Sequence, residues 1–518
     1  YKDGNDSNAI LSDNVFDFNS ILEDEEINTK ELIKISPESN IIHKNIVKYL
    51  RTFPYKIDGL NILIINPRNM QFVVAGIHSS IYQLKQKGIT ININLKIVLP
   101  DNRKNGSDYL RYWLDNYFSD DDEININTVI KYVDFKSKKI KQLINSSCDN
   151  EDISFIYDIM SGKNISFTQD NLDIDVAGNF KFPMVYIPQP ISISQDKRST
   201  VISQFQFDGA KEYTQLINLI KNPNAIRSTY RVIKEIEITN EFKDIIDVIH
   251  EKSNWIVCVD EGMDRGFLSR DDRKIIGFST GEGNFGELNI TISAHNDKIR
   301  DIKIKLKDRL KNKFSRWTTD ALDEAAKLCI ERCEQLDGSR LLEALNPNDY
   351  EIHSFLAYVL TLQTLGLDKP NDNYILRSLV NLDAHRHWFE GVLSNQSETK
   401  SRPDLLLLEV SKDSRNLNEI SKIKIKATVI ECKMGFTNGE YVDKAKSQIA
   451  VGIQTLSENW NPNSTSSLSR YWYNQLYRSL VFSTLNISDN HEGYLNFINK
   501  LYSILEGNFE IEFNGKAM

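Results

Sequence analysis

No window of about 18 consecutive uncharged apolar residues occurs in the sequence, so a membrane-spanning helix is not expected. The start, "YKDGNDSNAI", has neither the basic segment nor the apolar run of a secretory leader, and the reading that follows is a cytoplasmic protein without a membrane partner. Tyr1 is not an initiator methionine, which fits an excerpt of a longer protein. Cysteine is scarce: Cys148, Cys258, Cys329, Cys333 and Cys432 make no CxxC pair and no even framework, as expected of a reducing compartment. Cys329 and Cys333 stand four apart on an expected helix. With no His or Cys cluster beside them they read as small buried apolar residues rather than metal ligands. No GxxxxGK[ST] occurs; "SGKN" at 161–164 lacks the upstream glycine and the Ser/Thr, so a P-loop ATPase is not encoded.

A strong charge of one sign is also missing from most of the chain. Residues 1–30 hold eight acids against Lys2 and Lys30, which is −6 of the total −9 and leaves −3 for everything else. The acidity is therefore mostly that of a solvated arm, and net charge neither supports nor excludes a nucleic-acid partner. The loop Asp120–Glu123, "DDDE", reads as exposed acidic chain rather than a cation site.

What is present divides the 518 residues into several domains. An acidic arm and helical lead-in occupy 1–58. From 59 the pattern "NILIINP", "MQFVVAGIHSSIYQLKQKG", "ININLKIVLP" reads as a βαβ unit, and "ISFIYDIM" and "FPMVYIP" read as further buried strands, giving an α/β, Rossmann-like layer domain over 59–250. A β-rich segment with a basic stretch follows at 251–317. Its Gly281–Gly286 run is a literal GxGxxG, but alternating "ELNITIS" follows where a dinucleotide site needs a helix, so a glycine-rich hairpin is expected. Arg300, Lys303, Lys305, Lys307, Arg309, Lys311, Lys313 and Arg316 face only Asp301 and Asp308, and read as a solvated face or a phosphate-tracking surface. Helical patterns resume from 318.

Chemistry is concentrated in "SRPDLLLLEV" and "ATVIECKMGF". Folded as an antiparallel hairpin, the start of the first run, Asp404, lies opposite Glu431 at the end of the second. Residues two apart on a strand face one side, so Lys433 joins them while Ile430 and Cys432 turn away. Two carboxylates held together repel unless a cation neutralises them, and Mg²⁺ (or Mn²⁺) taking Asp404, Glu431, the Cys432 carbonyl and water would do so. Such an ion polarises a phosphoryl oxygen, and the lysine steadies the attacking water or the developing charge.

Pro403-Asp404…Glu431-Cys432-Lys433 resembles the motif of the PD-(D/E)XK nuclease superfamily. The helix that follows, with Tyr441, Ala445, Ile449, Gly452 and Leu456 as one packed stripe and Glu440, Lys444 and Gln448 on a second face, is similar to the RecB-like branch, whose glutamine helps orient the site. That resemblance implies a C-terminal nuclease-like α/β domain over 318–518, catalytic Asp404, Glu431, Lys433 and Gln448, and metal on Asp404, Glu431 and the Cys432 carbonyl. His385 or His387 would stand where that branch places a metal-binding histidine; core or helix-end positions are the alternative. "LDGSRLLEAL", "NLDAHRHWF", "RYWYNQLYRSLV" and "LEGNFEIEFNG" further resemble the region ahead of the ATPase motor in DptH-type (DndH-type) proteins of phosphorothioation-linked restriction and anti-phage defence. The implied activity is Mg²⁺-dependent DNA cleavage within a bacterial defence complex, beside other subunits and a HerA/FtsK-like ATPase in cis or in trans. The competing reading is a catalytically silent scaffold of the same fold that binds DNA or partner subunits. A small-molecule sensor in 59–250 is a third, without a phosphate loop to support it.

Overall fold

The computed structural model describes residues 37–101, 125–135, 140–158, 240–260, 272–282, 288–334, 349–367, 373–382, 402–411, 422–433, 439–482 and 501–518, single positions apart. It also describes the segments 165–170, 185–189, 197–203 and 231–237 and a few isolated residues. The acidic arm, the loop Asp120–Glu123, "SGKN" and Cys333 as a side chain lie outside the described residues.

The larger core is built on a seven-stranded sheet of β1 (Leu60–Ile65), β2 (Asn92–Pro100), β3 (Asn125–Val133), β4 (Glu151–Tyr157), β9 (Ser253–Asp260), β10 (Arg273–Glu282) and β11 (Leu288–His295). Its order is β3-β2-β1-β4-β9-β11-β10. The first five strands are mutually parallel, and β11 runs antiparallel to both of its neighbours. Central parallel strands are covered on both faces, which is why "LNILII" and "WIVCV" are near-continuous apolar runs rather than alternating ones. On one face lie α1 (Pro37–Thr52), α2 (Met70–Lys85), α5 (Asn296–Lys313) and α6 (Thr319–Glu334); on the other lie α3 (Ile140–Asn145) and α4 (Asn240–Lys252). Asp152, buried at the start of β4, ties this layer together. Its carboxylate takes the Tyr49 hydroxyl at 2.9 Å, the Lys56 ammonium at 2.7 Å and the Asn61 N–H at 2.9 Å.

Two expected boundaries change. The strands of 251–317 are not a separate segment, because β9 pairs with β4 and carries β11 and β10 behind it. The apolar faces of α6 and of α7 (Asp349–Leu365) also pack on the first core, through Leu322, Ala326, Ile330, Ile352 and Phe355. Hydrophobic faces far apart in sequence, from Ile41 to Val359, close one layer, and local patterning carries no record of that. "FPMVYIP" is corrected too: β6 (Val185–Gln189) joins β5 (Ile165–Asp170), β7 (Lys197–Ser203) and β8 (Arg231–Glu237) in a separate antiparallel sheet of order β5-β8-β7-β6. The glycine run sits between β10 and β11, whose antiparallel pairing reaches Glu282 and Leu288; residues 283–287 lie outside the described residues.

The second core is a four-stranded sheet, β12 (Tyr374–Asn381), β13 (Leu405–Ser411), β14 (Ile423–Glu431) and β15 (Phe509–Ala517), in that order. The first three are antiparallel neighbours and β15 is parallel to β14. Leu405, Leu407 and Ile430 pack against Ala357, Tyr358 and Leu362 of α7. Leu406, Leu408 and Val429 pack on the opposite side against α8 (Gly439–Asn459) and α9 (Ser469–Phe482), through Leu456, Trp460 and Trp472. Helix α7 thus contributes one stripe to each core. A buried hydrogen bond of 2.7 Å from the Arg478 guanidinium on α9 to the Asn289 side chain on β11 joins the two.

Candidate functional site

The register of β13 and β14 runs Leu405↔Ile430, Leu406↔Val429, Leu407↔Thr428, so the next pair outward is Asp404 and Glu431. Because side chains alternate, both share the face of Leu406 and Val429, which is the α8 side. Three neighbours fix the strand end. The Cys432 N–H donates to Asp404 Oδ2 at 2.9 Å. The Met518 N–H donates to the Glu431 carbonyl at 2.9 Å, and the Lys433 N–H to the Met518 carbonyl oxygen at 2.8 Å, prolonging the β14–β15 ladder past the strand. The Cys432 side chain turns into the α7 core.

Glu431 is 1% exposed; the Lys433 ammonium lies 2.5 Å from Oε1 as an ion pair and the Asp404 backbone N–H adds a second stabilising contact, which together leave the two buried oxygens short of a full set of partners. Burial, and then the Asp404 charge, push its carboxyl up to about 7; Lys433 pulls the other way without cancelling them. Buried, under-satisfied carboxylate oxygens beside a second carboxylate are a donor set suited to a hard divalent cation. Among the described residues no three His, Cys, Asp or Glu side chains are gathered to hold a metal.

Helix α8 meets the Arg402–Asp404 segment through Gln448 and Gly452. The Gln448 amide donates to the Arg402 carbonyl at 2.9 Å, which anchors the chain two residues ahead of Asp404, while its Oε1 is buried without a partner. Gly452, one turn further, lies under Pro403, where a Cβ would come within 2.6 Å of the ring. That close approach seats the Pro403-Asp404 corner on the helix, and a glycine four residues after the glutamine was the signal for it in the sequence. Tyr441 departs from the expected stripe. It is 54% exposed, while Ala445, Gly452 and Leu456 are buried and Ile449 packs half-buried on the second core.

His385 is buried in the turn after β12, stacked on Trp388 with ring centroids 4.1 Å apart. The Leu382 N–H bonds to the Asp404 carbonyl at 3.0 Å, which brings this turn beside the hairpin, yet His385 does not complete a three-ligand set. His387 lies outside the described residues. The basic stretch is helix α5, and much of its charge is engaged: Lys303 and Lys307 pair with Asp323 at 2.7 and 3.4 Å, and Lys305 bonds to the Thr52 carbonyl over the Phe53 ring.

No protein-family model matches the chain, and no curated protein matches it. Among solved structures it is similar to a loganic acid methyltransferase with SAH at 9% identity, over 86% of this chain and 89% of that one. The TM-score is 0.21, too low to bear on fold or function. No helix among the described residues is long and apolar enough to cross a membrane.

Proposed function

We propose that the chain is a metal-dependent DNA endonuclease module of the PD-(D/E)XK type, hydrolysing phosphodiester bonds within a bacterial defence or restriction complex. The observation that carries this reading is the facing of Asp404 and Glu431 at one strand end, with buried and under-satisfied Glu431 oxygens and Lys433 2.5 Å away. The order of elements around it supports the reading: a helix, three antiparallel strands, two helices, and a fourth strand parallel to the third.

Asp404 and Glu431 would hold Mg²⁺ or Mn²⁺, with the Cys432 carbonyl as a further oxygen. When bound, the ion supplies Lewis-acid polarisation of a phosphoryl oxygen and an acidified water. Lys433, already beside Glu431, stabilises charge that develops on the phosphoryl group and orients the water. Gln448 acts as a positioning residue. Its bond to the Arg402 carbonyl keeps the Pro403-Asp404 corner against α8. Residues 401–518 carry 13 basic and 13 acidic groups, so this region has no strong field to draw DNA in. Productive substrate capture is therefore assigned to the other subunits of the complex, among them a HerA/FtsK-like motor in cis or in trans.

The test is cleavage of plasmid and linear DNA by the chain with its partner subunits and Mg²⁺ or Mn²⁺. Lys433→Ala should lower the rate by about 10²-fold or more with DNA affinity little changed, the scale for losing one preorganised electrostatic group. Wild-type protein that cleaves no better than Lys433→Ala, yet still binds DNA or the partner subunits, would replace this reading with the silent scaffold.

A further inference from the structure

The basic stretch of α5 is only partly engaged by the fold. Lys303 and Lys307 pair with Asp323, and Lys305 bonds to the Thr52 carbonyl, so the first half of the stretch serves packing. Beyond them the helix ends in a corner, residues 314–318, that turns the chain into α6. Lys311, one turn before the corner, and Arg316 within it are both exposed. Among the described residues neither enters an ion pair.

Between these two cations stands an aromatic ledge. Phe314 packs half-buried on the first core, and Trp317 lies stacked on it, with ring centroids 4.4 Å apart and planes inclined by 15°. One face of the indole is thereby taken. Trp317 is nevertheless 46% exposed, whereas Trp255, Trp388 and Trp460 are 0% exposed and Trp472 is 2%. Indoles carry one of the largest apolar payloads of any side chain, and this one leaves much of it in water.

The ledge is built before any ligand arrives. The Phe314 N–H donates to the Leu310 carbonyl at 2.8 Å, and the Trp317 N–H to the Phe314 carbonyl at 2.9 Å. The Thr318 hydroxyl accepts from the Ala321 N–H at 3.2 Å, capping the start of α6. Leu306 and Leu310 on one side and Leu322 and Ala326 on the other sit in the first core. A ring held this way loses little freedom when something stacks on it, which is what preorganisation contributes to binding.

The surround of the ring selects the ligand. Ser315, Arg316, Thr318, Thr319 and Asp320 are exposed and polar, so Trp317 is flanked along the chain by polar groups rather than by the apolar core that a protein interface builds around its aromatic anchors. A flat aromatic face between cations matches a nucleobase with a phosphate on either side of it. Asp320 is the exposed acid at the corner, against Lys311 and Arg316. A base within a duplex has both faces covered by its neighbours, so only an unpaired one can stack here.

We propose that the corner between α5 and α6 holds an unpaired stretch of nucleic acid, one base stacked on Trp317 and its flanking phosphates on Lys311 and Arg316. The contact lies outside residues 401–518 and adds to the capture assigned to the other subunits. It does not rest on cleavage at Asp404 and Glu431, because the test is binding with the metal chelated. The full chain is titrated by fluorescence anisotropy, at low salt, with labelled oligo-dT and oligo-rU of about 12 nucleotides and with a duplex of the same length. A single strand, of either sugar, should bind saturably and more tightly than the duplex, and should quench the tryptophan emission that acrylamide reaches. Trp317→Ala should weaken single-strand binding by about tenfold or more without moving the melting temperature, and Trp317→Phe should restore most of it. Arg316→Ala should weaken it too and flatten its dependence on salt. Duplex bound as tightly as the single strands, no saturable binding of either strand, or affinity unmoved by Trp317→Ala overturns the proposal. So does a Trp317→Ala protein that keeps the oligonucleotide and instead loses a partner subunit, which would make the corner a protein contact.

Discussion

Glu431→Gln separates a buried charge kept for a cation from one kept for the fold. In the folded protein the Glu431 carboxyl titrates at about 7, against an ordinary value of 4.5, because burial and the Asp404 charge both disfavour its ionised form. A folded-state value above the unfolded one means that the native state holds the extra proton between them. Its contribution to stability is therefore fully present below pH 4.5 and is lost as pH rises through 7. The whole difference amounts to at most about 3 kcal/mol. In urea unfolding with a chelator present, Glu431→Gln should match wild type at about pH 5 and exceed it by about 1–3 kcal/mol at about pH 8, the lower figure allowing for the lost pair with Lys433. Adding Mg²⁺ at the higher pH should then restore the wild type, by about 2.7 kcal/mol at a hundredfold excess over the dissociation constant, and leave the variant unmoved. A variant less stable than wild type at both pH values, or equal gains from Mg²⁺ in both proteins, would refute the idea that these carboxylates form a cation site.

Gly452→Val should force α8 away from Pro403 and Val429, lowering stability by about 1–3 kcal/mol in denaturant unfolding and lowering any Asp404-dependent cleavage with it. Asp152→Ala strands the Tyr49 hydroxyl, the Lys56 ammonium and the Asn61 N–H, and should lower stability by about 3–5 kcal/mol, read as a drop in the urea midpoint. His250, buried between Ser293 and the Arg273–Asp247 pair, is held neutral with its ring pushed down to about 3 by burial and by Arg273. Stability should fall by about 1.4 kcal/mol per unit as pH drops from 6.5 toward 3 on this account, a slope that His250→Gln should remove in unfolding measured across that range.

The candidate site was legible because its information is local. Pro403 and the charged residue after it open one apolar run, Glu431 closes another, and period-two alternation then fixes which side chains share a face. The register that brings Asp404 opposite Glu431 needed only two strands and a polar link. Gln448 was placed on its face of α8 by helical periodicity, yet its hold on the Arg402 carbonyl could not be, since a side-chain-to-backbone bond leaves no pattern. Tyr441 looked like core because aromatic residues at helical spacing usually are; here the helix begins at Gly439, beyond the sheet that would have covered it. The βαβ start of the first sheet was readable for the same local reason. The addition of β9, with β11 and β10 behind it, depends on the pairing of β9 with β4, as in Glu151↔Ser253, far apart in the chain.

Helix α7 has a consequence for how this protein can be taken apart. Ile352, Phe355, Leu356 and Val359 are wall to the first core, while Ala357, Tyr358 and Leu362 are wall to the second. A gene cut ahead of the helix would leave the four-stranded sheet with its back covered but a greasy outer stripe on α7 facing water. A cut behind it would strip Leu405, Leu407 and Ile430 of their lid. Neither half is a cassette that can be grafted elsewhere without redesigning that one helix, and heat or denaturant should melt both sheets in a single step.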